Sequence, residues 1–315
     1  MPMTRRWLRV LSRYSPQVQL YKTMFLQTIR VMVAGGTGDV GSEIVRALAA
    51  DPDYDVAVLS RPNSTATRIK KIQTFDTRIV NADYKKHDEL ANVLRGIDIV
   101  VSAIDYDYLL EPQLALVRAA AEAGVKRFVP SEYWLDTDKV DSPMTEDNRT
   151  VKRAIEASGM EHTYYYCGHF YEYLVDKYFG VDVPRRRATV IGSGNALLSM
   201  AHTKDVGRFV ALTLKDPRSR NASLQFEGGR FTINQIIERL EKITGNKFTV
   251  TYCDADGDID GSEEHADLSA LAADFLELVD QGAALMTRAD HQQYSGFEFW
   301  SFDDYLKHKS AKWVR

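Results

Sequence analysis

Three glycines spaced three residues apart are the first feature of the sequence that indicates chemistry. Gly35, Gly38 and Gly41 follow the short apolar run Ile29–Ala34 and precede a segment whose apolar residues have helical spacing. A glycine turn between strand and helix lets phosphate approach backbone N–H groups, and the helix N-terminus adds positive potential. The motif therefore predicts a dinucleotide pyrophosphate site. Its predicted members are Gly35, Thr37, Gly38, Asp39, Val40 and Gly41.

The end of the second predicted strand indicates which dinucleotide binds. Residues 54–59 form the second predicted strand, which continues into Ser60 and Arg61, and no acidic residue stands at this end of the strand. An acid at this place would bind the ribose 2′-hydroxyl of NAD, whereas the planar guanidinium of Arg61 suits a 2′-phosphate. We therefore expect NADPH or NADP+ as cofactor. Ser102 and Ala103, at the end of the fourth predicted strand, complete the predicted cofactor site.

Four side chains close to the later strand ends are candidates for proton transfer to a substrate. Ser131 ends the fifth predicted strand, Tyr133 lies just past it, and His169 follows the sixth. Lys152 lies on the helix between these strands. Histidine has a pKa range suited to acid–base work, and a phenol or an ammonium can also donate a proton. The alternatives are a turn-capping serine, a solvent-facing lysine and a buried structural histidine.

Strands that alternate with helices must position these residues. This rhythm predicts an α/β fold with a doubly wound parallel sheet. The predicted strands cover residues 29–34, 54–59, 78–80, 97–103, 126–129 and 162–167, and the predicted helices begin near residues 40, 88, 111 and 143. We assign residues 29–167 to the dinucleotide-binding domain.

Beyond residue 168 the alternation weakens. Further elements are predicted at residues 188–191, 205–214, 233–243, 247–252 and 268–279, before an aromatic tail at 294–305. We assign residues 168–315 to a smaller α/β lobe, interleaved with the first domain, that would roof a substrate cleft. Residues 1–28 are basic, since the first acidic residue of the chain is Asp39. We expect a disordered or appended arm there, with an organellar presequence as the alternative.

The composition excludes several classes of protein. The 315 residues carry a net charge of −4, which argues against nucleic-acid and membrane partners. The two cysteines, Cys167 and Cys253, are too few for a disulfide framework, and we expect a cytoplasmic protein. The acidic stretch from Asp256 to Asp267 imitates a calcium loop, but it follows a predicted strand where that motif needs a helix. We therefore predict no metal site.

With these residues in place, the chain resembles the NmrA-like and isoflavone-reductase-like family of atypical short-chain dehydrogenases. The resemblance covers about residues 29–245. It implies a Rossmann domain with an interleaved substrate lobe, NADP(H), and small aromatic or polyketide-like substrates of secondary metabolism. The segments that carry it are GGTGDVG at 35–41, Arg61, GIDIVVS at 96–102, GVKRFVPSE at 124–132, VKRAIEASG at 151–159 and TKDVGRFVA at 203–211.

One position departs from the pattern of these reductases. They carry a catalytic lysine eight residues before the glutamate that is Glu156 here, and Asn148 occupies that position. An amide can hydrogen-bond a substrate oxygen but does not donate a proton at neutral pH. Our first hypothesis is an NADPH-dependent reductase that uses another residue as acid. A redox-sensing regulator with a protein partner and a non-redox lyase or cyclase are the alternatives. For the enzyme we expect a small-molecule substrate as partner, with a homodimer left open.

Overall fold

The computed structural model describes residues 28–62, 64–175, 179–254 and 269–310. The predicted basic arm, apart from Thr28, and the calcium-like stretch lie outside these residues. The chain divides into two compact units of interleaved segments. Unit 1 contains the chain up to Ser131, Glu146–Thr163 and Gly207–Ala222. Unit 2 contains Glu132–Thr145, Tyr164–Val206 and the chain from Ser223 onward.

The described strands and helices alternate along the first half of the chain. The strands are β1 Ile29–Ala34, β2 Tyr54–Ser60, β3 Arg78–Asn81, β4 Ile99–Ser102, β5 Arg127–Val129, β6 Glu161–Tyr166, β7 His169–Phe170, β8 Val181–Asp182, β9 Arg187–Ile191, β10 Leu198–Ala201, β11 Ala222–Gln225, β12 Gly229–Phe231 and β13 Thr249–Cys253. The α-helices are α1 Asp39–Ala50, α2 Ala66–Gln73, α3 His87–Leu94, α4 Leu110–Glu122, α5 Pro143–Ala157, α6 Tyr171–Leu174, α7 Thr203–Thr213, α8 Ile233–Thr244, α9 Ala270–Asp280 and α10 Phe302–Ser310.

A parallel sheet confirms the predicted α/β fold. Seven of the described strands form it in the order β11-β6-β5-β4-β1-β2-β3. The pairs from β3 across to β6 are all parallel. The last four residues of β1 and all of β4 are buried, as expected for central strands covered by helices on both faces. Strand order reverses between β1 and β4, which is where such sheets form a ligand crevice at their carboxyl ends.

Unit 2 contains two small three-stranded sheets. Their orders are β12-β10-β7 and β13-β9-β8. Helix α8 begins with a capping box formed by Thr232 and Gln235 and ends at Gly245, whose φ of 69° is the left-handed conformation that favours glycine. The aromatic tail packs into this unit's core, where Phe302 and Tyr305 are buried beside Tyr171.

Within unit 1, residues 207–213 of α7 lie directly against the β1–α1–β2 region. A Cβ on Gly207 would stand 2.3 Å from the carbonyl oxygen of Glu43, and the hydroxyl of Tyr54 donates to the carbonyl of Ala211 over 2.8 Å. We expect Gly207→Ala to lower the free energy of unfolding by about 1–3 kcal/mol, because backbone must move to admit the methyl group. Urea denaturation measures this, and Leu212→Ala, an exposed change on the same helix, should stay within about 0.5 kcal/mol. Equal losses of unfolding free energy in Gly207→Ala and Leu212→Ala would contradict the close packing of α7 at Gly207.

Candidate functional site

The glycine turn after β1 is shaped by two contacts that only glycine permits. Gly35 has a φ of +75°, and a Cβ there would lie 2.2 Å from the carbonyl oxygen of Ala103. A Cβ on Gly41 would lie 2.2 Å from the carbonyl oxygen of Gly35. Gly35 therefore allows the turn to approach the end of β4, and Gly41 allows α1 to pack on the turn.

Gly38 stands apart from these two glycines. Its Cβ would meet only the carbonyl oxygen of Gly35, at 3.4 Å, so the protein itself does not require glycine there. Gly38 is the N-cap of α1, and as a glycine it supplies no side-chain hydrogen bond to this helix end. Thr37 and Val40 are partly buried and Asp39 is exposed. A helix N-terminus that begins at a glycine with little protein around its Cβ position fits the pyrophosphate of a dinucleotide.

Arg61, the residue predicted to favour NADP(H) over NAD(H), directly follows β2. Ser60 is buried and its hydroxyl donates to the carbonyl of Arg61 over 3.2 Å. Arg61 is exposed and forms no ion pair with a described carboxylate. Burial raises the pKa of Tyr84, and the charge of Arg61 opposes that rise, which places this phenol near the guanidinium. Arg61 is thus an unneutralised cation beside β2 and β3, as a 2′-phosphate requires.

The end of β4 closes the other side of the turn. Ser102 pairs with Ala34 of β1 in the sheet register, and the N–H of Ala103 donates to the carbonyl of Ala34 over 2.8 Å. The Ser102 hydroxyl is buried and has no hydrogen-bond partner among the described residues. Such a group is suited to an incoming polar ligand. The roles of Ser102 and Ala103 in cofactor binding stay predictions.

Ser131 is held in place by its neighbours. Its N–H donates to Gln113 Oε1 over 2.9 Å, and its carbonyl accepts from Asn148 Nδ2 over 3.1 Å. Its hydroxyl donates to the carbonyl of Ile104 over 2.9 Å. The hydroxyl proton of Ser131 is therefore engaged in a hydrogen bond to the backbone. The side chain of Asn148 holds the backbone that follows β5 through its own hydrogen bond to the Ser131 carbonyl. Sequence reasoning missed Gln113, an uncharged polar residue that the structure places on the buried face of an Ala- and Leu-rich helix.

Helix α5 presents one buried face with a lysine on it. Asn148, Val151, Lys152 and Ile155 are all at most 4 % exposed. Their spacing places them on one side of the helix, so Lys152 follows Asn148 by about one turn. The predicted lysine is thus not a solvent-facing one. Its catalytic role stays a prediction.

Tyr133 is buried in unit 2. Its ring stacks on Tyr165 with centroids 6.2 Å apart, and its hydroxyl has no hydrogen-bond partner among the described residues. Burial, with smaller contributions from neighbouring groups, raises the pKa of Tyr133 well above its ordinary value. The phenol therefore stays protonated at neutral pH. Its role as donor stays a prediction.

His169 lies in an aromatic environment of unit 2. Its ring centroid is 4.4 Å from that of Phe275 and 4.6 Å from that of Phe179. Burial lowers the pKa of His169 to about 3, against a smaller opposing effect of the Glu172 carboxylate. The imidazole is therefore neutral at physiological pH. A neutral imidazole is a weak acid, so these surroundings suit hydrogen bonding better than proton donation.

This burial predicts a pH dependence of stability. In the unfolded chain His169 binds a proton below about pH 6.5, whereas in the folded chain it stays neutral down to a much lower pH. The free energy of unfolding of the wild type should therefore fall as the pH decreases toward the folded pKa. Between about pH 4 and 6, His169→Leu should flatten the dependence of the unfolding free energy by about 1.4 kcal/mol per pH unit. Urea denaturation across this range measures the slope. The surface variant His87→Gln is the control, and an unchanged slope in His169→Leu would contradict the burial.

Two features are absent from the part of the chain that the structure describes. No described helix has the length and apolar character needed to cross a bilayer. Among the same residues, no group of three or more His, Cys, Asp and Glu side chains could hold a metal ion.

Comparisons with known proteins agree with this geometry. Residues 27–258 match the model of the NmrA-like family. Pinoresinol reductase 1 of Arabidopsis thaliana is 31 % identical over 244 residues, which cover 70 % of this chain and 76 % of that protein. Oxidoreductase BOA1 of Botryotinia fuckeliana is 35 % identical over 237 residues, which cover 70 % and 77 %.

A solved structure extends the similarity over more of the chain. The structure described as AtPrR2 with NADP+ and (+)pinoresinol superposes with a TM-score of 0.76 at 25 % identity, over 90 % of this chain and 99 % of that one. That neighbour carries a dinucleotide of the kind that the glycine turn and Arg61 fit. The sequence resemblance is thereby confirmed: the chain belongs to the NmrA-like family.

Proposed function

We propose that this chain is an NADPH-dependent reductase of a small aromatic or polyketide-type metabolite. One observation carries the proposal. The glycine turn at Gly38 and the guanidinium of Arg61, which pairs with no described carboxylate, both belong to unit 1, at the ends of the adjacent strands β1 and β2. Together they provide the shape and the charge that NADPH needs. The similarity to pinoresinol reductase 1 and to AtPrR2 supports an aromatic substrate.

Each part of unit 1 has a task in this proposal. Bound NADPH supplies a hydride. The N–H groups at the start of α1 hold the pyrophosphate, and Arg61 holds the 2′-phosphate. Gln113 and Asn148 fix the backbone of Ser131 from both sides, which keeps the β5 end rigid. A rigid support of this kind positions reacting groups accurately.

The substrate atom that gains negative charge needs a proton, and we propose Lys152 as its source. Lys152 lies on the buried face of α5, about one turn after the position of the family lysine. Ser131 uses its hydroxyl proton on a backbone carbonyl, and His169 is neutral. An ammonium on the buried helix face can both donate the proton and stabilise the charge.

Lys152→Met should lower kcat by about 100-fold, because general acid catalysis typically contributes 10²–10⁴-fold. The affinity for NADPH should change by less than about twofold, since Lys152 is not part of the phosphate site. Steady-state kinetics and an NADPH titration measure the two effects. Arg153→Met removes an exposed charge on the same helix and is the matched control. A wild-type kcat in Lys152→Met would exclude this lysine as the acid.

The proposed function itself is tested by NADPH consumption. Purified protein with NADPH would be mixed anaerobically with a panel of aromatic ketones, quinones, enones and benzylic ethers, and the NADPH absorbance followed. We expect consumption with at least one compound and a reduced product by mass spectrometry. Binding of NADPH without consumption across the panel would contradict the reductase and favour the regulator. The presence of Asn148 at the position of the family lysine is the observation that favours the redox-sensing regulator as the second candidate function.

We also propose a cytoplasmic location for the protein. The net charge of −4 and the presence of two cysteines in 315 residues support this location. A homodimer is compatible with the proposed function but is not required by it. If the chain is a regulator, a protein partner replaces the substrate.

A further inference from the structure

The turn between β8 and β9 carries three consecutive arginines. Arg185, Arg186 and Arg187 are all exposed, and so is Pro184 before them. The N–H of Arg186 donates to the carbonyl of Val183 over 3.2 Å and closes the turn between the two antiparallel strands. All of these residues belong to unit 2. We call Arg185, Arg186 and Arg187 together the arginine tip.

The backbone at Arg186 has a conformation that arginine rarely adopts. Its φ is 56°, and among the described residues only Asn221 is another non-glycine residue with a positive φ. Asparagine tolerates this left-handed region, whereas a long side chain is disfavoured there. Glycine would occupy the same place in the turn without strain. An arginine kept at a strained position therefore indicates a function of its side chain rather than a gain in stability.

The first arginine of the tip is more exposed than the carboxylate that it contacts. Arg185 pairs with Asp182 over 3.3 Å, but the arginine side chain is 61 % exposed and the aspartate side chain only 10 %. Arg186 forms no ion pair with a described carboxylate. The solvent-facing surface of the turn is therefore positively charged.

A fourth cation lies on the neighbouring strand segment. The N–H of Thr249 at the start of β13 donates to the carbonyl of Arg186 over 2.9 Å, and Lys247 precedes this residue by two positions. The Lys247 side chain is 89 % exposed, whereas its partner Glu241 is 16 % exposed. Lys247 thus extends the positive surface of the arginine tip along unit 2.

The size and the surroundings of this positive surface determine which partner it fits. The whole chain has a net charge of −4, so an extended polyanion such as duplex DNA or an anionic membrane would also meet repulsive charge elsewhere on the molecule. A short acidic peptide segment covers only a few residues and avoids this repulsion. Clustered arginines recognise such segments through charge-assisted hydrogen bonds to carboxylates.

We propose that the arginine tip is a docking surface for a short run of Asp and Glu residues in a partner protein. Each guanidinium donates to a carboxylate of the partner, and Lys247 adds attraction without the planar fork. The inference goes beyond the proposed function, because the arginine tip belongs to unit 2 and the proposed dinucleotide site to unit 1.

The test measures binding of a defined acidic peptide to the full chain. Fluorescein-labelled hexaglutamate is titrated with the protein and followed by fluorescence anisotropy, with hexaglutamine as the uncharged control. We expect saturable binding of hexaglutamate only. Its affinity should fall by at least about threefold between about 0.05 and 0.2 M salt, because exposed charges are screened.

Two variants locate the binding at the arginine tip. The triple variant Arg185→Gln/Arg186→Gln/Arg187→Gln should lose at least about tenfold in affinity, since three exposed ion pairs are removed. Arg118→Gln removes an exposed arginine of α4 in unit 1 and should stay within about 1.5-fold of wild type. An unchanged affinity in the triple variant, or an equal loss in both variants, would overturn the inference.

Arg186→Gly separates recognition from stability. Glycine relieves the left-handed backbone, so we expect the Tm to rise by about 1–2 °C while the affinity for hexaglutamate falls by about two- to fivefold. A Tm below that of wild type would show that the arginine is retained for the fold and would contradict the inference.

Two further probes test the class of partner. Vesicles of phosphatidylcholine with phosphatidylserine and a short DNA duplex are titrated under the same conditions. Tighter binding of either than of hexaglutamate would overturn the acidic protein segment as the occupant. NADPH titration of the triple variant should match that of wild type, so failure of this inference leaves the proposed function untouched.

Discussion

Gly38→Ala is expected to abolish dinucleotide binding without changing the fold. A methyl group at Gly38 meets protein only at 3.4 Å, an ordinary contact, so the Tm should stay within about 2 °C of wild type. The same methyl group would occupy the open side of the turn, where the pyrophosphate must reach the N–H groups of α1. We expect the affinities for NADPH and for NADH both to fall by at least about 100-fold, or about 2.7 kcal/mol. Fluorescence titration measures both affinities.

Gly41→Ala provides the matched comparison. Its Cβ would lie 2.2 Å from the carbonyl oxygen of Gly35, so this change must displace backbone and should lower the Tm as well as the affinity. The pair therefore separates the glycine that faces the ligand from the glycine that packs the helix. If Gly38→Ala binds NADPH as wild type does, the phosphate does not lie in this turn.

Arg61→Ala is expected to change the preference between the two dinucleotides. A guanidinium that binds a phosphate bidentately makes two charge-assisted hydrogen bonds, and each contributes about 1.5–3 kcal/mol. We expect NADPH affinity to fall by about 100-fold and NADH affinity by less than about twofold, because NADH lacks the 2′-phosphate. Titration of the same preparation with both nucleotides gives the ratio directly.

Two further variants sharpen this result. Arg61→Lys keeps the charge without the planar fork and should restore part of the loss. Arg68→Ala removes another exposed cation, on α2, and should leave the ratio of the two affinities near that of wild type. Equal losses of NADPH and NADH affinity in Arg61→Ala would show that Arg61 does not select the cofactor.

The central strands were predictable from the sequence because they are buried without interruption. The observed β1 has the predicted bounds of residues 29–34, since an apolar run ends there at a glycine turn. The observed β4 is shorter than the predicted residues 97–103, and the sheet register begins at Ile99 opposite Val31. The first residue of β4 is set by its hydrogen-bonded pairing with β1, and a single sequence does not show that pairing.

Other elements had no signal that a single sequence can carry. Helix α2 was not predicted, because among its eight residues only Ile72 is buried and the apolar pattern is too short to recognise. Strands β7 and β8 have two residues each, too few for any period. The sequence did show an aromatic tail at residues 294–305, and two of its members, Phe302 and Tyr305, lie in the core of unit 2.

The candidate site also contains residues that the sequence indicates and residues that only tertiary contacts bring together. The glycines and Arg61 could be proposed as site residues from the sequence because their types are tied to backbone geometry and phosphate chemistry, and their binding roles stay predictions. The support of Ser131 was not, because Gln113 is 18 residues away in sequence and acts through tertiary contact. The unsatisfied state of His169 was likewise invisible, since burial and missing partners depend on the aromatic residues around it.

The central claim is that unit 1 binds NADPH through the turn at Gly38 and the guanidinium of Arg61. Equilibrium titration of the purified wild-type protein with NADPH and with NADH tests it most directly. We predict saturable binding of one NADPH per chain, with NADH weaker by at least about tenfold. Absence of saturable binding by either nucleotide would contradict the account.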